Sequence, residues 1–587
     1  MTIHELKDVI RCALGRVPAD LVIKNVTVVN VFTEELVEGS IALKGKYIAR
    51  VGEVNDVISD STIIYDARGM YAVPAFIDAH IHIESAMITL TEFARAVIPH
   101  GTGTIITDIH ELANVIGIEA VDLILREAEK LPLNVFIMLP SCVPAAPGID
   151  TPGAEIGVGE IQEYIGREYV LGLGEMMNYP GVLNLEEDVL KKIGIAQNAG
   201  KVVDGHAPLL LGKELQAYAS VGILTDHETV TPEEALEKLR SGMYLLVREG
   251  SLSKNIDILR KVIERGLSLE RCIIVTDDRH PDDLLREGHL DPAIRKAIKM
   301  GIDPVKAIKM VTLIPAQAYR LSRIGGIAPG YYADIVLLKN LESVSICKVF
   351  LKGELVADDG KVLIKLQTPQ YPAKYLRTIN VKKTPTKDDL AIISPEDAEE
   401  VAVRVIGVQE GSLITKSLTE RLAVKNRRVL PDPSRDILEI VVVERHRKTG
   451  NIGKGFVKGF GIKRGALAST IAHDSHNIVA VGADLDSLET AIKEVIRIGG
   501  GLVVALRDKV LAELSLPLAG LMSIESIENV VQKLDLLNNK AKELGIKIRN
   551  PFMTLSFLAL PVIPELKITD KGLFDVKLFK RVNVIIQ

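Results

Sequence analysis

Between residues 73 and 325 the sequence alternates eight apolar runs of strand length with segments patterned as helices. The runs are AFIDAH, GTIITDIH, NVFIMLPS, VLGLGEM, KVVDGH, GILTDH, MYLLVREG and CIIVTDD. Strands that are apolar on both faces are typical of parallel sheets covered by helices. Eight such repeats predict a closed (β/α)8 barrel over residues 73–325, with an open doubly wound sheet as the alternative.

The segments on either side of this region have a different residue pattern. Residues 1–72 and 326–365 contain short runs rich in Val, Ile and Tyr, separated by glycines, which predict strands. We expect these two flanks to form one β-sandwich domain. Residues 366–389, with several prolines and lysines, predict a linker, and residues 390–587 mix strand and helix patterns. The predicted fold class is therefore α/β, with an additional C-terminal α/β domain.

Length and charge limit the classes of function. At 587 residues the chain is too long for one core, and its net charge of −6 is spread without long blocks. This balance argues against nucleic acid or an anionic membrane as a partner. No apolar stretch reaches membrane-spanning length, and the first residues lack a signal-peptide pattern. The four cysteines form no CxxC pair, which favours a reducing, cytoplasmic location.

Residue types that bind metals stand at the C-terminal ends of the predicted barrel strands. They are His80 and His82, then Asp108, His110 and Glu111, then Glu175, His206, Asp226 and His227, and finally Asp277 and Asp278. In a parallel barrel these ends meet at one mouth, where the active site is built. A single strand-end aspartate is commonly only a helix cap. Five of the 12 histidines fall at these ends, however, and capping does not predict such clustering. We therefore favour a metal site.

The candidate ligands combine imidazole nitrogens with carboxylate oxygens and include no thiolate. Such a set suits zinc, iron, manganese or cobalt. His80 and His82 are two residues apart on a strand, so both face the same side and can reach one ion. Glu175, with two oxygens midway around the barrel, is the natural bridge between two ions. Two ions about 3.5–4 Å apart would hold a hydroxide between them at neutral pH.

Several motifs resemble the amidohydrolase superfamily: DAHIH, Glu175, DGHAP, TDHE and TDDRHP, with GGIAPGYYADIVLL as the returning β segment. PAFIDAHIHIESAM, LGEMMNYPGV, VTDDRHPDDL and GALASTIAHDSHNIVAVG more closely resemble the adenine deaminases of that superfamily, over almost the whole chain. The resemblance implies an enzyme of purine salvage that hydrolyses adenine to hypoxanthine and ammonia. It also implies two manganese or iron ions per chain, with zinc less favoured. We expect a homodimer or a higher homo-oligomer.

The resemblance also implies roles for individual residues. The implied metal ligands are His80, His82, Glu175, His206, His227 and Asp277, with the first two on one ion, His206 and His227 on the other, and Glu175 bridging. Asp277, His227 and Glu175 form the implied catalytic set, in which Asp277 moves the proton from water to the ring or the leaving amine. Asp278 is the alternative base. Many relatives carry a carboxylated lysine on strand four, whereas this chain has Glu175.

The candidate substrate-binding residues, chosen by their position in the sequence, are His110, Glu111, His473 and His476. Asp108, His110 and Glu111 suit substrate hydrogen bonding, a proton relay or an accessory ion, and strand-end capping is an equal alternative. The segment AHDSHN, residues 472–477, predicts an exposed turn entering a strand. A polar turn with an aspartate cap is the simpler interpretation. Our hypothesis is that the C-terminal domain covers the barrel mouth and brings this turn to the site.

Two other functions compete with adenine deamination. One is a different amidohydrolase reaction, such as hydrolysis of a cyclic amide or an N-acyl group. The other is a non-catalytic scaffold on the same fold. Scaffolds of this kind lose metal ligands, whereas this sequence keeps a full set.

Overall fold

The computed structural model describes residues 1–409 and 412–586. Strands from both flanks of the barrel form one sheet. Before the barrel they are Leu21–Asn30, Glu35–Lys44, Tyr47–Gly52, Ile63–Asp66 and Tyr71–Pro74, and after it Ile335–Leu338, Ile346–Leu351, Glu354–Asp358 and Lys361–Val362. The two sets join where Tyr71–Pro74 pairs antiparallel with Ile335–Leu338. The edge strand Tyr47–Gly52 returns beside Tyr332, so the sheet folds over an apolar core as a sandwich.

Eight parallel strands form the barrel, at the eight places where the sequence predicts them. They are Phe76–His82, Thr102–Asp108, Asn134–Pro140, Val170–Met176, Val202–Gly205, Thr225–Asp226, Tyr244–Arg248, and Cys272–Val275 continued by Asp277–Asp278. Each strand pairs in parallel with the next one. The barrel closes where Asp277 pairs with Ile81 and Asp278 with His82. The closed barrel, and not the open sheet, is the observed fold.

Helices follow the barrel strands and cover them. They are Leu90–Val97, His110–Ile116, Glu119–Ala128, Val158–Tyr164, Tyr179–Leu183, Glu187–Asn198, Gly212–Ser220, Pro232–Arg240, Arg260–Glu264, Pro281–Arg286, Asp291–Lys299, Pro304–Lys309 and Leu313–Ala318. Side-chain caps mark where some of them begin. The Thr89 hydroxyl accepts the Glu92 amide, and the Thr231 hydroxyl accepts the Glu234 amide. The helix Ile3–Ala13 lies outside the barrel and packs on the flanking sheet.

The C-terminal domain is a nine-stranded sheet with helices and a small second sheet. Its strands are Glu400–Gly407, Lys416–Lys425, Arg428–Val429, Ile437–Val443, Ile452–Lys458, Ala466–Ser469, Ile478–Gly482, Gly501–Leu506 and Lys509–Ser515, with Leu566–Thr569, Gly572–Asp575 and Lys580–Val582 in the second sheet. The helices of this part are Ala373–Leu376, Lys387–Leu390, Leu485–Arg497, Ile527–Glu543 and Pro551–Phe557. Among the described residues, none of the helices is both long and apolar enough to cross a membrane.

The C-terminal domain packs directly on the barrel. One continuous apolar cluster contains buried side chains of both parts. Polar contacts lie at its margin, where the Asn477 side chain donates to the Thr151 carbonyl at 3.0 Å and Arg447 Nε donates to the Pro152 carbonyl at 3.1 Å. The turn that precedes the strand Ile478–Gly482 is therefore held against the mouth of the barrel.

Candidate metal centre

Glu175, near the end of the fourth barrel strand, lies at the centre of the mouth and is buried. Its Oε1 is 2.9 Å from His82 Nε2 and 3.5 Å from His80 Nε2. Its Oε2 is 2.8 Å from His206 Nδ1 and 3.6 Å from His227 Nε2. The two oxygens of one carboxylate thus divide four imidazoles into two pairs. These residues fall into groups of His and Glu side chains close enough to share an ion.

The orientation of His82 identifies which of its nitrogens is free to bind. Its Nδ1 lies 2.9 Å from the Asp108 carbonyl oxygen, which can only accept, so Nδ1 carries the hydrogen. In the neutral ring, Nε2 then points a lone pair at Glu175 Oε1 and, 3.2 Å away, at Asp277 Oδ1. Because Nε2 faces two carboxylates, positive charge is needed between them, supplied either by a proton on the ring or by a metal ion. A backbone carbonyl on the far nitrogen is also the usual support of a metal-binding histidine.

Two further observations fit this requirement. His80 Nε2 and Glu175 Oε1 are buried and have no hydrogen-bond partner in the described part of the chain. Burial lowers the pKa of His82, but the charges of Glu175 and Asp277 raise it well above its ordinary value. The unpartnered buried atoms and the raised pKa of His82 both indicate that the negative groups of this site bind a cation.

The eighth strand places its two aspartates differently. Asp277 Oδ1 faces His82, and its Oδ2 accepts a hydrogen bond from Arg248 at 2.9 Å. Its φ of +60° is uncommon for a residue with a side chain. Burial acts to raise the pKa of Asp277, but the hydrogen bond with His82 and the charge of Arg248 hold it well below its ordinary value. Asp278 instead accepts a hydrogen bond from the Ser85 hydroxyl.

The end of the second strand connects the centre with a second polar cluster. Asp108 Oδ1 accepts a hydrogen bond from the His110 amide at 3.1 Å. This contact is the strand-end capping that the sequence offered as an alternative role for Asp108. Its carboxylate occupies the space that a Cβ would need at Gly174, so only glycine fits at that position of the fourth strand. His110 Nδ1 is 4.0 Å from Glu175 Oε1, and its Nε2 is 3.6 Å from Glu111 Oε1. His110 therefore lies between the two glutamates.

The C-terminal domain supplies the other half of the second cluster. Glu111 Oε1 contacts His473 Nδ1, and Glu111 Oε2 is hydrogen-bonded to His476 Nε2. The prediction of an exposed turn over residues 472–477 was wrong, because His473 is only 4% exposed and His476 only 1%. The segment does enter the strand Ile478–Gly482, but the packing of its domain on the barrel buries it.

Buried side chains hold this turn in place. Arg445 donates to the His476 carbonyl, to the Ala519 carbonyl at 3.0 Å and to the Thr378 hydroxyl at 3.1 Å. The His473 ring stacks on Phe557, with ring centres 4.4 Å apart. The three hydrogen bonds of Arg445 and the stacked ring of His473 restrict the movement of the turn.

The structure places in the site a carboxylate to which the sequence analysis gave no role. Glu84 is buried; its Oε1 accepts the Leu112 amide at 3.0 Å, and its Oε2 has no partner among the described residues. Burial raises its pKa to about 7. Together with Glu111, His473 and His476 it lines a narrow cavity between the barrel mouth and the C-terminal domain. An acid two residues after the HxH pair was the signal that could have identified it.

Arg248 and Lys238 were missed for another reason. Both are buried beneath the ends of the strands, where Arg248 pairs with Glu228 and Asp277. Lys238 pairs with Asp226. Arginine and lysine are not metal ligands, and a lysine in the polar run EEALEKLRSG is expected to be solvent-exposed. Only the folded chain shows that these cations are enclosed.

Comparison with known proteins identifies the family of the chain. Residues 71–356 match the model of the amidohydrolase family, and residues 412–580 match that of the adenine deaminase C-terminal domain. The adenine deaminase of Dehalococcoides mccartyi is 46% identical over 576 residues, covering 98% of each chain. That of Clostridium acetobutylicum is 44% identical over 577 residues, covering 98% of this chain and 99% of its own. Adenine deaminase 2 of Carboxydothermus hydrogenoformans is 44% identical over 584 residues, covering 99% of each. The chain belongs to the adenine deaminase family of the amidohydrolase superfamily.

Proposed function

We propose that this protein hydrolyses adenine to hypoxanthine and ammonia, a reaction of purine salvage. The observation that carries the proposal is the position of Glu175, whose two oxygens face two separate pairs of histidines. Similarity to adenine deaminases along 98% of the chain, the C-terminal domain included, supports adenine as the substrate.

We assign the metal centre to the side chains that surround Glu175. The proposed ligands are His80, His82, Glu175, His206, His227 and Asp277. When bound, two divalent ions lower the pKa of water and so supply hydroxide at neutral pH. The nitrogen and oxygen donors without thiolate support manganese or iron, with zinc less favoured.

The residues around the centre have separate tasks in the proposed reaction. Asp277 is held ionised beside Arg248 and can accept a proton from water, then pass it to the ring or to the departing amine. Glu175 keeps the two histidine pairs facing one another. His227 faces Glu175 Oε2, and its ring stacks on His80 at a centre distance of 4.0 Å, which holds both rings in place. Asp278, which is engaged with Ser85, is the second choice as the base.

We propose that the second cluster binds the purine. His110, Glu111, His473 and His476 are buried at or beside the cavity between the barrel and the C-terminal domain. The cavity has a volume of about 10 Å³, room for about one water molecule, so a planar base would have to displace side chains that line it. Once bound, the base would be kept from bulk water, which strengthens the electrostatic interactions of the centre. Glu84 lines the same cavity, and its buried Oε2, which has no partner among the described residues, is free to bond such a ligand.

We further propose a cytoplasmic homo-oligomer, at least a dimer. The helix Ile3–Ala13 leaves an apolar stripe uncovered, in which Ile3 is 74% exposed and Ile10 is 49% exposed. Stripes of this kind are typical of surfaces that associate. Light scattering of the purified protein, with Ile10→Asp as the variant, tests the assembly. A monomeric wild type would contradict it.

The decisive experiment offers the manganese-reconstituted protein adenine, adenosine, cytosine and dihydroorotate separately. We expect ammonia and hypoxanthine from adenine. Turnover of one of the other compounds alone would replace adenine deamination by another amidohydrolase reaction. The number of bound ions is measured in parallel. Less than one ion per chain would favour the non-catalytic scaffold.

A further inference from the structure

Lys238 is fully buried in the helix Pro232–Arg240, which follows the sixth barrel strand. Its ammonium group donates to Asp226 Oδ1 at 2.6 Å and to Glu234 Oε1 at 2.8 Å. It also donates to the Ala207 carbonyl at 3.0 Å, and the Thr229 hydroxyl lies 3.2 Å away. A buried ammonium group persists only when it is paired in this way.

The acceptors of Lys238 belong to the two loops that carry His206 and His227. Asp226 directly precedes His227, and its Oδ2 accepts the amide of Ala207, the residue after His206, at 2.9 Å. Glu234 accepts from the amides of both loops, Leu209 at 2.8 Å and Val230 at 3.0 Å. One buried network therefore joins the loop after the fifth strand to the loop after the sixth.

These two loops depend on such a network because their strands are short. The fifth strand has four residues and the sixth has two, and the pair shares only two matched positions, Asp204 with Thr225 and Gly205 with Asp226. The first strand, which carries His80 and His82, has seven residues. Backbone pairing therefore contributes less to fixing His206 and His227 than to fixing the other two histidines.

We propose that Lys238 is a positioning residue that holds His206 and His227 in register with each other. It thereby sets the affinity of one of the two ion positions, the one that these histidines share with Glu175 Oε2. The inference rests on the proposed two-metal centre. It does not depend on which substrate the enzyme uses.

The test is the substitution Lys238→Met, which keeps an unbranched side chain and removes its charge and its hydrogen bonds. Metal-free wild type and variant are titrated with Mn²⁺, and the two binding steps are resolved by calorimetry. We expect one step to match the wild type and the other to be at least about tenfold weaker, in line with the effect of residues that support metal ligands. Turnover should recover at high Mn²⁺ concentration.

The control is Lys567→Met. Lys567 is a second fully buried lysine, which donates to the carbonyls of Leu413 and Phe557 within the C-terminal domain. This variant should bind both ions as the wild type does. Two unchanged binding steps in Lys238→Met, or an equal weakening of both, would overturn the inference.

A second variant covers the case in which Lys238→Met does not fold. Glu234→Gln keeps the shape of the side chain and leaves the pairing of Lys238 with Asp226 intact. It should weaken the same single step by a smaller factor, and an unchanged step would count against the network. If the wild type binds two ions but does not deaminate adenine, the proposed function fails while this inference stands.

Discussion

Glu111, after the second barrel strand, is hydrogen-bonded to Nε2 of His476, which lies 365 residues later in the chain. The Nδ1 of His476 accepts the Ala472 amide at 3.2 Å, so the ring hydrogen must be on Nε2. Burial lowers the pKa of His476 to about 4 despite the nearby Glu111, and the neutral ring therefore donates to the carboxylate. Glu111 and His476 thus form a hydrogen bond between the two domains.

The first prediction concerns the carboxylate between the histidine pairs. Glu175→Gln keeps the size of the side chain but removes the negative charge that faces both proposed ion positions. We expect fewer than two bound ions per chain, counted by elemental analysis. Turnover should fall by more than about 100-fold, because loss of even the outer-shell partners of metal ligands costs about 10–100-fold. Two tightly bound ions and normal turnover in this variant would move the bridge to another residue.

The second prediction separates the aspartates of the eighth strand. Asp277→Asn should keep much of its metal but lose turnover by about 100-fold or more, because it removes the proposed proton carrier beside His82. Asp278→Asn should have a milder effect, since its carboxylate accepts from Ser85. Steady-state rates and metal content of both variants are compared. The opposite ranking would exchange the two roles.

The third prediction concerns the contact between domains. His476→Ala leaves the buried Glu111 Oε2 without its donor, which costs about 1–3 kcal/mol and corresponds to about fivefold to 150-fold in kcat/KM if the contact serves the substrate site. Metal content should remain at two ions per chain. The exposed histidine His4 supplies the control, and His4→Ala should behave as the wild type.

Point variants test this contact better than removal of the domain. The apolar cluster is continuous between the barrel and the C-terminal domain, so a chain ending near residue 385 would expose a large part of it to water. Loss of activity in such a fragment would not distinguish catalysis from folding. Normal kcat/KM in both His476→Ala and His473→Ala would reduce the turn to a structural role.

The fourth prediction concerns stability and pH. Burial lowers the pKa of Lys567 from its ordinary 10.5 to about 7 in the folded protein. Between pH 7 and 10.5 the unfolded chain therefore binds more protons than the folded one, so this group makes the protein more stable as pH rises. The gain is on the order of 5 kcal/mol across that window. It is absent below pH 7, where the ammonium is charged in both states.

The measurement compares thermal melting of the wild type and Lys567→Met at several pH values. We expect the melting temperature of the wild type to rise relative to the variant between pH 7 and 10. The comparison cancels other titrating groups, which are common to both proteins. A difference that stays constant with pH would show that Lys567 titrates normally in the folded state.

The sequence by itself determined the order of the barrel strands and the residues at their ends. A run such as AFIDAH is apolar on both faces and ends in histidine, so its burial and its polar terminus follow from local pattern alone. Because parallel strands end at one mouth, His80, His82, Glu175, His206 and His227 could be grouped before their distances were known.

Only the tertiary structure decided which groups face each other. Nothing local in the sequence indicates that Glu111 meets His476, since contact across 365 residues depends on how two domains pack. Packing also buried the turn over residues 472–477 and enclosed Lys238, although both segments are polar in sequence. A polar residue in the sequence predicts a solvent-exposed side chain only when the folded chain offers it no buried hydrogen-bond or ion-pair partner. Here Glu111, Arg445 and Asp226 supply the partners, and those pairings exist only in the folded protein.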